Sequence, residues 1–284
     1  FFHSFLWVFL PWTILALIGY WLRVKTFVKL RFQYRPQYEF LTLGGITILF
    51  AIISFAQFKL PHYMNILIPL YSILAASYLH SLNRFDKKGV IQLMLGIQYA
   101  VLSIVFIFTL LICFYVFKFE HIWSYVLLFF LMGVIVYFCL NREAYYMRII
   151  TLSVYSSLLL NFVMHSHFYP SLLKYQAGST MAEEVEERGI PTNEIYKISE
   201  RYSWALDFYN REPVKIIAKE KLLKMHNVWV YATDEELEIM ENLGFHWHDK
   251  ITVDQFRITR LTLKFLNPST RTKKLNKMHL VYLD

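Results

Sequence analysis

The sequence predicts a polytopic α-helical membrane protein of about six transmembrane helices, followed by a small extracytoplasmic α/β domain. Three observations lead there. Hydrophobic residues make up 56% of the 284 and aromatics 18%, with a mean hydropathy of +0.37, above the apolar share of ordinary soluble domains. Residues 1–164 hold only four acids (Glu39, Asp86, Glu120 and Glu143) against twelve Lys and Arg, whereas residues 165–284 hold seventeen of each sign. The net charge of +8 therefore belongs to the first part alone. Past His165, long apolar runs give way to short strand-like and helix-forming segments. The predicted division is a membrane domain over 1–164 and an outer domain over 165–284. The basic excess lies in loops beside apolar runs, which points to membrane lipids as partners and not to nucleic acid.

Six stretches have the length and lack of charge of spanning helices: Ser4–Trp21, Phe40–Gln57, Met64–Leu82, Val90–Val116, Ile122–Leu140 and Ile149–Met164. In lipid, helix is the conformation that pairs every backbone group within the segment. Trp12, Trp21 and Trp123 fall near span ends, as interfacial aromatics do. Pro11 and Pro69 would kink the first and third spans. No Asp, Glu, Lys or Arg lies inside a span, which argues against ion-coupled transport. The two cysteines, Cys113 and Cys139, both lie in apolar runs, so neither a disulfide framework nor a thiolate metal site is expected. The chain opens on Phe1 without a basic leader region and reads as one entered partway through a larger protein.

Loop charges set the orientation. Arg23, Lys25, Lys29, Arg31 and Arg35 follow span one; Arg84, Lys87 and Lys88 follow span three; Arg142 and Arg148 follow span five. The alternate loops offer Lys59 and Lys118. Under the positive-inside rule, residues 58–63, 117–121 and everything past 165 lie outside the cytoplasm. In the outer domain, Glu194–Ile198, Val214–Ala218, Val228–Ala232, Thr252–Thr259, Leu261–Leu266 and Met278–Leu283 read as strands. Tyr169–Gly189 reads as helix, and Thr233 opens a capping box for a second helix that Gly244 stops.

The chemistry-bearing stretch is Phe58–Tyr63, F-K-L-P-H-Y, a polar break between two apolar runs. An ammonium at Lys59, beside a Pro-fixed turn, suits a phosphate or pyrophosphate, with His62 as a second donor or proton shuttle and Tyr63 beside it. The competing reading makes Lys59 a snorkelling interfacial lysine. His246 and His248 lack a third metal ligand, and Glu120–His121 reads as a solvated turn. Between Arg257 and Lys277, seven Lys and Arg without an acid form a strip that faces anionic lipid head groups or the membrane half of the chain, or else a solvated edge.

With these residues in hand, the chain resembles the C-terminal half of bacterial GT-C glycosyltransferases. These are related to the lipid A aminoarabinose transferase and, more distantly, to protein O-mannosyltransferases. F-L-P-W at Phe9–Trp12, F-K-L-P-H-Y-M-N-I-L-I-P-L at Phe58–Leu70, W-A-L-D-F-Y-N-R-E at Trp204–Glu212 and the tail Ile258–Arg271 carry the resemblance. It implies a bacterial inner-membrane, multi-pass enzyme of the cell envelope, with its C-terminal domain periplasmic. Such an enzyme moves a sugar from a polyprenyl-phosphate carrier to a lipid or protein acceptor, as in lipid A modification. It also implies that the catalytic carboxylates lie in an N-terminal half without counterpart here, so that this segment is inactive alone. Lys59, with His62 and Tyr63, would then hold the departing carrier phosphate. No cofactor is specified, and room is left for a divalent metal in the full-length enzyme. The alternatives are a non-catalytic membrane subunit with a glycan- or partner-binding outer domain, and an O-antigen ligase-like transferase.

Overall fold

A computed structural model describes residues 5–6, 8–33, 40–57, 61–140, 144–200 and 203–283, and the chain divides into two compact units. The first comprises Phe1–Leu110 and Glu120–Phe162, and the second Leu111–Phe119 and Val163–Asp284.

The first unit is helical, with α1 (Thr13–Lys29), α2 (Leu41–Phe55), α3 (Ile68–Arg84), α4 (Lys88–Leu111), α5 (Ile122–Leu140) and α6 (Tyr145–Val163). A 3-10 segment, Pro61–Ile66, leads into α3. Gly19 lets α1 lie against α3, where an added Cβ would stand 2.8 Å from the Leu74 carbonyl oxygen. Arg23 Nη2 donates to Ser77 Oγ (2.9 Å) across the same seam. Phe5 and Tyr71 pack with ring centroids 4.2 Å apart beside it. A buried polar tie joins α4 to α6, in which Gln98 Nε2 donates to Ser153 Oγ (2.5 Å) and to the Pro11 carbonyl (3.3 Å). Groups removed from water need such partners.

The expectation of about six spanning helices is corrected. Among the described residues two helices are long and apolar enough to cross a membrane, Lys88–Val116 and Tyr145–Leu173, each of 29 residues. The other apolar runs fall short for physical reasons. The 15 residues of α2 rise about 22 Å, against a hydrocarbon core of about 30 Å. In α5 the described apolar stretch, Ile122–Phe138, is also short. Polar side chains enter the other two, Arg23, Lys25 and Lys29 in α1 and His80, Asn83 and Arg84 in α3. Taken whole, the chain is a mixed α/β protein. Pro69 does not kink a span either; it sits in the first turn of α3, where its missing N–H goes unneeded. Pro11 likewise lies in the turn before α1.

The second unit holds α7 (Tyr169–Leu173), α8 (Ala177–Glu187), β1 (Ile195–Lys197), α9 (Trp204–Tyr209), β2 (Lys215–Ile216), α10 (Lys219–Leu222), β3 (Val228–Thr233) and α11 (Asp234–Asn242). After these come β4 (Trp247–Gln255), α12 (Leu263–Leu266), α13 (Pro268–Arg271) and β5 (Asn276–Leu283). The sheet order is β2-β1-β3-β5-β4, with β1 parallel to both its neighbours and β5 antiparallel to both of its own. Central β3 is buried on both faces, and its alternation divides the core. Trp229 and Tyr231 face Met181 and Val185 of α8, while Val228, Val230 and Ala232 face Leu237 and Met240 of α11.

The Thr233 capping box forms as the sequence predicts. Thr233 Oγ1 accepts from the Glu236 N–H, and the Glu236 carboxylate accepts from the Thr233 N–H. The strand expected over Leu261–Leu266 is instead α12, because the Thr262 hydroxyl caps it by accepting from Phe265 N (3.3 Å). Arg271, in the strip expected to face lipid head groups, residues 1–164 or solvent, turns inward onto Val116 and Phe117, as the second of these alternatives has it. Its guanidinium donates to the carbonyls of Val116 (2.5 Å) and Phe265 (3.0 Å). It lies 4.4 Å from the Phe117 ring centroid, with the Tyr175 and Phe265 rings also within 6 Å.

Candidate functional site

One face of α3 borders a cavity. Ser72, Ala75, Ala76, Leu79 and Asn83 recur at helical spacing, and the two alanines leave room beside them. Phe9 and Trp12, together with Tyr146 and Ile150 of α6, close the opposite wall. The resulting cavity has a volume of about 430 Å³, within the roughly 300–1,000 Å³ range of small-molecule sites. Its lining is mostly apolar. Ser72, His80, Asn83 and Tyr146 supply the polar atoms, and among the described residues no Asp, Glu, Lys or Arg lines it. The Ser72 hydroxyl also donates back to the Ile68 carbonyl (2.8 Å), which fixes its rotamer. Such a surface takes a hydrocarbon chain and offers neutral hydrogen bonds along it; by itself it has no cation for a phosphate.

Of the residues singled out from the sequence, Lys59 lies outside the described residues. His62 and Tyr63 are brought together in the 3-10 segment before α3, with ring centroids 4.8 Å apart and the rings nearly perpendicular. His62 is exposed and Tyr63 half-buried. The pocket itself was missed from sequence, although Ser72, Ala75, Ala76, Leu79 and Asn83 on one helical face were a readable signal. Among the described residues no group of three or more His, Cys, Asp or Glu gathers to hold a metal ion. His248 packs edge-on against Tyr282, with centroids 4.9 Å apart.

The second unit contains a buried histidine contact that the sequence did not disclose. His279 on β5 receives the Thr252 hydroxyl at Nδ1 (2.9 Å) and presents Nε2 to the Asp234 carboxylate (2.8 Å). The neutral tautomer with its proton on Nε2 satisfies both bonds. Burial is the largest influence on the imidazole and pushes its pKa below 6.5; Lys250 and Lys277 push the same way, while Asp234 opposes. Because the folded pKa is depressed, the stabilisation is complete above pH 6.5 and is lost as pH falls through the folded value. The wild-type chain is therefore expected to lose more thermal stability between pH 7.5 and 5 than His279→Asn. Parallel melting curves for the two proteins would disprove this. The three groups line neither the α3 pocket nor the larger cleft of the second unit, so they read as a tie between β4, β5 and α11.

Comparison with protein-family models, with curated proteins and with solved structures finds no match for this chain.

Proposed function

We propose that the chain is the C-terminal portion of a membrane glycosyltransferase that draws its sugar from a polyprenyl-phosphate carrier. In this reading the carrier's hydrocarbon chain lies along α3, and its phosphate is held by Lys59, His62 and Tyr63. The acceptor is a lipid or protein, and the second unit lies outside the cytoplasm of a bacterial inner membrane. The single observation that carries the reading is the α3 pocket, an apolar slot with sparse neutral donors. Ser72, at the N-terminal end of that face, is the lining residue nearest in sequence to the segment holding His62 and Tyr63. An amphiphile with an anionic head and a long chain fits both features. Two helices long and apolar enough to span a bilayer, and exposed apolar side chains on α5 such as Trp123, Phe130 and Tyr137, support a membrane setting.

The test is binding of undecaprenyl phosphate to the whole chain in detergent, followed by native mass spectrometry. Ala76 is exposed and lines the pocket, so Ala76→Trp fills the slot without disturbing the core. It is expected to weaken binding at least about tenfold, which corresponds to roughly 1.4 kcal/mol. Lys59→Ala removes a charge-assisted contact worth roughly 1.5–3 kcal/mol and is expected to weaken binding about ten- to a hundredfold. Lys118→Ala should leave it unchanged. Parental affinity in both Ala76→Trp and Lys59→Ala would end this reading.

A further inference from the structure

The second unit contains a larger cleft, of about 1,510 Å³, that the carrier reading does not use. One wall is the polar face of α8 and the turn before it. There Gln176, Ser179, Thr180, Glu183 and Glu186 recur three or four residues apart. Glu183 and Glu186 are exposed, and among the described residues neither side chain makes a hydrogen bond or ion pair. The opposite wall is the end of α9, with Phe208, Tyr209, Asn210 and Arg211. Phe208 is 75% exposed and Tyr209 61%, with their rings edge to face at 5.3 Å.

The helix that carries these rings is firmly anchored. Leu206 is fully buried, and Asp207 Oδ1 accepts from both Ser203 Oγ and the Val214 N–H at 2.9 Å. Gly178 allows α8 to approach so closely that an added Cβ would stand 3.0 Å from both Ala205 Cβ and Leu206 N. Beside the rings, the Asn210 amide nitrogen is buried and, among the described residues, has no hydrogen-bond partner.

We propose that this cleft binds a pyranose oligosaccharide. A pyranose ring has a C–H face that lies on an aromatic ring and a rim of hydroxyls that both donate and accept. The cleft offers the complementary set: the flat faces of Phe208 and Tyr209, the acceptor carboxylates Glu183 and Glu186, and the donor Arg211. Its volume exceeds the roughly 300–1,000 Å³ of a site for one small molecule, which suits several sugar units. Other ligand classes fit less well. The charged lining, Glu183 and Glu186 with Lys174 and Arg211, disfavours a lipid chain, and it has no net positive charge to draw nucleic acid. An extended peptide binding by strand addition needs a sheet edge, and the edge strands β2 and β4 do not line the cleft. The inference stands on the second unit alone and holds whether the chain is part of a transferase or a glycan-binding subunit.

The test is isothermal titration of the full chain in detergent with cellotetraose, maltotetraose, mannotetraose and chitotetraose. Saturable binding of at least one tetrasaccharide is expected. Phe208→Ala should weaken it tenfold or more, and Glu183→Gln by severalfold. Phe208 is exposed, so an unchanged melting temperature will establish that its variant is folded. Ala76→Trp, at the membrane pocket, should leave sugar binding untouched, so the two proposals fail separately. Absence of saturable binding to all four probes, affinity indifferent to Phe208→Ala, or binding of an extended peptide in place of the sugars would overturn the assignment.

Discussion

Arg271→Ala is expected to lower the melting temperature of the second unit by about 10–20 °C. The guanidinium donates to the carbonyls of Val116 and Phe265, which come from parts of the chain distant in sequence, and lies against the rings of Phe117, Tyr175 and Phe265. Removing it forfeits hydrogen bonds from a charged donor, each worth roughly 1.5–3 kcal/mol, and strands buried acceptors. The ring contacts add roughly 0.5–2 kcal/mol. A combined loss of about 3–5 kcal/mol is reasonable once non-additivity is allowed for, and a unit of this size shifts roughly 3–5 °C per kcal/mol.

Lysine does not substitute here. One ammonium cannot reach carbonyls on both sides while also stacking on the rings, so Arg271→Lys should recover less than half of the loss. The measurement is thermal unfolding by circular dichroism in detergent, with a neighbouring exposed cation, Lys273→Ala, as the control. A shift of under about 3 °C in Arg271→Ala would mean that the aromatic packing holds this corner without the cation.

Local rules made much of the second unit legible. Strands β1, β3 and β5 are short β-branched or aromatic runs, and the Thr233–Glu236 box announces α11 by spacing alone. Leu261–Leu266 misled because its apolar alternation fits a strand, whereas the Thr262 cap makes it a helical turn. In the first unit, hydropathy over-counted the spans. A window of apolar residues does not reveal where a helix stops, and α2 stops after 15 residues at Phe55.

The functional surfaces were harder to read, because each is made by residues far apart in the chain. The α3 pocket needs Tyr146 and Ile150 as well as Phe9 and Trp12, and no motif spans that distance. His279 finds Thr252 and Asp234 only through the β3-β5-β4 pairing. Arg271 looked like one cation in a basic strip, and charge counting cannot tell a solvated guanidinium from one that turns inward. The exposed pair Phe208–Tyr209 was visible in the W-A-L-D-F-Y-N-R-E stretch, but burial, which sequence does not supply, is what makes it unusual.

In the first unit the most sensitive position is Gly19. A Cβ there would meet the Leu74 carbonyl oxygen at 2.8 Å, its carbon at 3.2 Å and Tyr78 Cβ at 3.3 Å. The nearest obstacle is helix backbone, which cannot rotate aside as a side chain would, so α1 must move off α3. Close approach through a small residue lets the two helices gain dispersion energy along the seam. Gly19→Ala is expected to destabilise the unit by about 1–3 kcal/mol and Gly19→Leu by more. The seam also adjoins the pocket, since Phe9 and Trp12 lie in the turn just before α1 and Ala75 and Leu79 lie on α3. Undecaprenyl phosphate binding should therefore fall with stability, at least about tenfold in Gly19→Leu. Gly96→Ala in α4 is the contrast, because nothing lies within 4 Å of the new methyl. It should be neutral or add a few tenths to about 1 kcal/mol through helix propensity. The readout is a thermal melt and a binding titration on the same detergent samples. Equal behaviour of Gly19→Leu and Gly96→Ala would show that the α1–α3 seam does not shape the pocket.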